Sequence, residues 1–139
     1  MICLPFVLGS FYVVAVPRAQ RHLSAREIDQ LVNHFQEIKS EVPTIPVAFA
    51  SADEPAMYAD EFLGVLDKAG IKYIQMPSYA APNECGVMVG ARDPRKLSIE
   101  ATKVLSALRS SGFNPAVISF QPRFEFSYNF DLFIGPPCR

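Results

Sequence analysis

The chain has 139 residues, half of them hydrophobic, and 13 Lys or Arg against 14 Asp or Glu give a net charge of -1. That length bounds the molecule to one domain with a single core, and the balanced charge leaves no electrostatic footprint for nucleic acid, whose binding rests on neutralising phosphates. The three cysteines, Cys3, Cys85 and Cys138, are odd in number and widely spaced, so they predict neither a disulfide framework nor a zinc site and fit a reducing cytoplasm.

Residues 1–16 carry no charge and are followed by Pro17, Arg18, Arg21 and His22. A secretory signal would open with basic residues and close on small ones at a cleavage site, and neither feature is present. The segment therefore predicts a membrane anchor over residues 1–17, with one soluble domain over 18–139. Arg18 and Arg21 beyond its apolar end predict that the domain lies in the cytoplasm. A span needs about 20 apolar residues, so the stretch reads as the tail of a longer one that begins upstream of Met1. The competing reading makes it a buried element of a soluble cytoplasmic domain, broken at Pro5, Gly9 and Ser10.

Ser24 and Glu27 form a capping box at the start of a helix whose inner face is Ile28, Leu31, Val32, Phe35 and Ile38. Residues 45–50 read as a short buried strand. Asp53-Glu54-Pro55 opens a second helix, where acids suit the positive end of the dipole and proline suits the first turn. Ala69-Gly70 ends it, and residues 71–76 form the next strand. After a proline-containing loop, residues 86–89 read as a third strand. Asp93 and Pro94 then predict a helix start, with Leu97, Ala101, Val104, Leu105 and Leu108 inside and Gly112 as the stop. Residues 116–120 and 131–134 complete the strands, the last ended by Gly135-Pro136-Pro137.

The expected fold is thus a layered α/β (or α+β) domain with three helices and about five strands in a mixed, mainly parallel sheet. Strands that follow each other without a helix, such as residues 73–76 and 86–89, predict some antiparallel pairing. A ferredoxin-like split arrangement competes with a Rossmann-like open sheet.

Two polar clusters are candidate ligand-binding sites. Ser51, Asp53 and Glu54 follow a strand and open a helix, the position where open sheets bind ligands, although helix capping alone accounts for those residue types. Arg92, Arg95 and Lys96 put three cations at a predicted helix start, where free amides favour an anion, although a solvated charged turn is the simpler reading of them. No G-x-G-x-x-G or Walker loop is present, so no cofactor is expected. Cys85 has no histidine at a useful spacing and reads as a small buried thiol; His22 and His34 are not spaced as metal ligands. No catalytic residue is assigned. Phe124, Phe126, Tyr128 and Phe130 alternate strictly, so a strand would put four rings on one face. That face is either core or a surface for a protein partner or self-association.

Through Arg21-His22-Leu23-Ser24, Asp53-Glu54-Pro55-Ala56 with Tyr58-Ala59, residues 66–70, and Phe133-Ile134-Gly135-Pro136, the chain resembles a loosely defined group of small bacterial membrane-anchored α/β proteins of unknown function. The resemblance implies an N-terminal anchor and a cytoplasmic α/β domain, and transfers no catalytic residue. Together these features predict a membrane-tethered interaction or sensing module. The alternative is an enzyme or nucleotide-binding domain that gathers residues 51–54 and 92–96 around one cleft.

Overall fold

The computed structural model describes residues 20–77, 84–119 and 128–138. The expected anchor at residues 1–17 lies outside them, as do Phe124 and Phe126. Among the described residues no helix is long and apolar enough to cross a membrane.

Helix α1, Ala25–Ile38, starts at the expected capping box. The Glu27 amide donates to Ser24 Oγ at 3.1 Å, and the Ser24 amide donates to Glu27 Oε1 at 2.8 Å. Two otherwise orphaned donors are satisfied, and such a cap contributes about 1 kcal/mol. Leu31, Phe35 and Ile38 form its buried stripe. Strand β1, Thr44–Phe49, leads into helix α2, Asp53–Ala69, with Asp53 and Glu54 in its first turn. Gly70 closes α2 at φ 81°, the left-handed conformation that a residue without Cβ adopts at no steric cost. Strand β2, Lys72–Gln75, follows, then strand β3, Val87–Ala91.

Helix α3 spans Ile99–Ser110, which corrects the start expected at Pro94. Asp93 does not cap a helix. Its Oδ1 accepts the Arg95 amide two residues on at 3.0 Å, and its carbonyl accepts the Lys96 amide at 2.9 Å, so the segment closes into a turn. Ser98 is the actual cap, accepting the Ala101 amide at 3.1 Å. Strands β4, Ala116–Ser119, and β5, Phe130–Ile134, complete the fold.

The five strands lie in the order β2-β1-β5-β3-β4. β1 pairs in parallel with β2 and with β5, β3 pairs in parallel with β4, and only β3 and β5 are antiparallel. The sheet is therefore mixed and mainly parallel, but the antiparallel pair is not the one expected from strands adjacent in sequence. β2 and β3 are held apart by β1 and β5. The result is neither a ferredoxin-like split nor a one-way open sheet: two parallel strand-helix-strand halves run in opposite directions, with β5 inserted between them.

Alternate residues of the central strands, Ile45, Val47, Val87, Val89, Phe130, Leu132 and Ile134, share one core with the inner faces of α1, α2 and α3. All three helices thus cover one face of the sheet. Ala48, Met88, Phe133, Met76 and Ile118 cluster on the other face. β3 and β5 are buried along their whole length; β3 reads as a continuous apolar run, and β5 does so apart from the buried Asp131.

Candidate functional site

The chain enters the domain across the start of α2. The Arg21 guanidinium grips Glu54 with both arms, Nε to Oε2 at 3.0 Å and Nη2 to Oε1 at 2.7 Å, and the Arg21 amide adds a third bond to Oε2 at 2.8 Å. Nη2 also donates to the Gly135 carbonyl at 2.6 Å, just beyond β5. The planar fork of arginine matches a carboxylate in a way a lysine cannot. Its flat face lies over the Tyr58 ring, with Cζ 4.3 Å from the centroid. Two turns further along α2, Glu61 accepts the Leu23 amide at 2.7 Å and pairs with His22 at 2.9 Å. Two glutamates on one side of α2 therefore hold residues 21–23.

The electrostatics follow from these contacts. Hydrogen bonding from Arg21 is the largest influence on the Glu54 carboxyl and holds it below its ordinary value of 4.5, although burial pushes the other way. Burial pushes the Tyr58 hydroxyl up to about 12, with the negative charge of Glu27 adding to it.

The candidate residues fall at two places. β1 ends beside Ile134, and the Ala50 amide donates to the Ile134 carbonyl, so Ser51, Asp53 and Glu54 sit at one end of the sheet. β3 ends beside Phe130, and the Arg92 amide donates to the Asn129 carbonyl, so Arg92, Arg95 and Lys96 sit at the other. About 13 Å of β5 separates the two ends at strand spacing. Ser51 and Asp53 are exposed, whereas Glu54 is half-buried under Arg21. Arg95 has a side chain 94% exposed and meets Asp93 only at 3.8 Å. The three cations precede Ser98 and so do not surround the amides of the α3 start.

Two shallow depressions lie elsewhere. One of about 420 Å³ is lined by Asp67, Gly70, Ile71, Lys72 and Tyr73, and one of about 280 Å³ by Pro43, Thr44, Glu100, Tyr128, Asn129 and Phe130. Neither includes a residue of the two polar clusters. Among the described residues no group of three or more His, Cys, Asp or Glu could hold a metal ion.

The aromatic alternation divides at the start of β5. Phe130 is 4% exposed and packs with the helices, whereas Tyr128 packs against the cluster on the opposite face. The strand begins only at Phe130, so the two-residue period does not carry Tyr128 onto the same side. Cys85 corrects another expectation: it is an exposed residue, not a buried thiol, and is bonded to Cys138 across a separation of 53 residues. Sequence spacing gave no sign of this pair or of the Arg21 junction, because β3–β5 pairing and the fold of α1 create both.

No family model, curated protein or solved structure matches the chain.

Proposed function

We propose that this chain is a membrane-tethered, non-catalytic interaction domain, held by residues 1–17 and offering its α/β layer to a protein partner. The Arg21 junction carries the reading. The chain arriving from the apolar stretch is fastened to Glu54, Glu61 and Gly135 within a few residues, so a tether there would orient the domain, where a flexible linker would only set its reach. The enzyme or anion-binding alternative needs residues 51–54 and 92–96 in one cleft. Their placement at opposite ends of β5, and the engagement of Glu54 by Arg21, weigh against it.

We assign the partner surface to the edge at β2, which pairs only with β1 among the described residues and exposes Lys72, Ile74 and Gln75. An exposed ladder of this kind accepts an extended segment by strand addition. Two features bear on the side of the membrane. Arg18 and Arg21 favour the cytoplasm, whereas the Cys85–Cys138 bond favours an oxidising compartment, since cytosolic thiols are kept reduced. A covalent bond between distant parts of the folded domain outweighs a bias of two charges, and we place the domain on the oxidising side.

Alkaline carbonate extraction of cells expressing the full chain tests the tether. The chain should stay with the membranes, and Cys85 and Cys138 should resist alkylation when the cells are opened under a thiol-blocking reagent. Release into the carbonate supernatant would remove the reading.

A further inference from the structure

The segment after β5 is held at the end of the sheet by a short series of contacts. The Gly135 amide donates to the Gly86 carbonyl at 2.9 Å, the Gly86 amide donates to the Pro136 carbonyl at 2.8 Å, and Cys138 is bonded to Cys85. The carbonyl of Gly135 is also the one that Arg21 Nη2 grips. One residue thus has its N–H within the loop that the disulfide closes and its C=O within the junction that fastens the N-terminal chain. The site is tight: a Cβ at position 135 would run into Met88 Cε and the Gly86 carbonyl. Gly86 has φ +84° and a Cβ there would meet Cys138 Sγ at 3.3 Å. Both cysteines are exposed residues.

We propose that Cys85–Cys138 is a site of thiol–disulfide exchange, taking a dithiol oxidoreductant as its partner, and that its redox state sets how firmly residues 21–23 are clasped to the domain. In the reducing direction a thiolate of the dithiol attacks one cysteine sulfur. The Cys85–Cys138 bond breaks as the mixed disulfide forms, and the other cysteine leaves as a thiolate and takes a proton. The second thiol of the dithiol, giving up its proton, then displaces the remaining cysteine. Two electrons and two protons reach the protein, and the partner departs as its own disulfide. Without the bond, the covalent constraint on residues 136–138 is gone and the hydrogen bond from the Gly86 amide to the Pro136 carbonyl is left to hold the segment against Gly86. The Gly135 carbonyl then loses its fixed position, and Arg21 keeps only Glu54 and the Tyr58 face. The inference rests on the Arg21 geometry and holds whether or not residues 1–17 enter a membrane.

Hydrogen exchange of the full chain, compared between the oxidised form and the form reduced with dithiothreitol, tests this. On reduction the amides of Arg21, Gly86 and Gly135 should accelerate about tenfold or more beyond the factor that those within α1 and at Leu132 share through the loss of global stability. C85S in the absence of reductant should reproduce the reduced pattern. Three results would overturn the proposal: an Arg21 amide indifferent to redox state, an equal acceleration throughout α1 and β5, or alkylation and mass measurement finding three free thiols in the oxidised chain rather than Cys3 alone.

Discussion

At the end of the sheet where β1 and β5 finish, the Arg21 and Glu54 side chains are 20% and 19% exposed and share two hydrogen bonds, with a third from the Arg21 amide. At the other end, Arg95 is 94% exposed and stands 3.8 Å from Asp93. The same ion types occur at both ends, and what separates them is solvent and geometry. A bidentate pair shielded by Tyr58 and tied to the Gly135 carbonyl fixes the course of the chain, while an exposed, single contact is worth about 0–1 kcal/mol at best. Of the charges that sequence inspection marks, Glu54 at one end is engaged by Arg21, while Arg95 at the other is solvated.

The contrast can be broken in several places. The largest effect is expected from C138S, which opens the loop joining the tail to β3. Denaturant unfolding should show a loss of about 2–4 kcal/mol, the typical range for a disulfide. R21A comes next. It strands a half-buried carboxylate and leaves the Gly135 carbonyl without its guanidinium, and at one-fifth exposure the loss should fall between that of surface and buried pairs, at about 2 kcal/mol.

The same pair predicts a pH dependence of definite sign. The Glu54 carboxyl titrates below its ordinary 4.5 in the folded chain, so its contribution is full above that value and is lost as pH falls through the folded pKa. R21A should flatten this acid limb of the unfolding curve. Tyr58 acts in the opposite direction. Its hydroxyl is raised from 10.0 to about 12, so its contribution is present below 10.0 and is lost as pH rises toward the folded value.

Smaller effects belong to the second end. S98A removes the cap of α3 and should cost about 1 kcal/mol in thermal or denaturant unfolding. R95Q and K96Q should each stay within about 0.5 kcal/mol of the parent, as expected of exposed charges, since the Arg95 contact with Asp93 is long and solvated. A loss at either position comparable to that of R21A would erase the distinction between the ends.

What the sequence made legible was local. The capping box at Ser24, the acids and proline opening α2 and the glycine closing it depend on residues within four positions of each other, and all are found in place. The start of α3 was misplaced because two signals compete within six residues: Asp93 turns its carboxylate back on Arg95, which leaves Ser98 to cap the helix. The sheet order was hidden because β5, the last strand, inserts between β1 and β3, a choice set by long-range burial. The Arg21 junction spans 33 residues to Glu54 and 114 to Gly135, and the disulfide spans 53. No spacing rule reaches that far, and the polar residues that spacing did single out lie at opposite ends.

The fastening of the N-terminal chain is tested most directly by a double-mutant cycle of R21A and E54Q, read by denaturant unfolding of the full chain. The geometry predicts a coupling energy of about 1–2 kcal/mol, with the double variant little worse than either single one. Additive losses, with a coupling near zero, would contradict it.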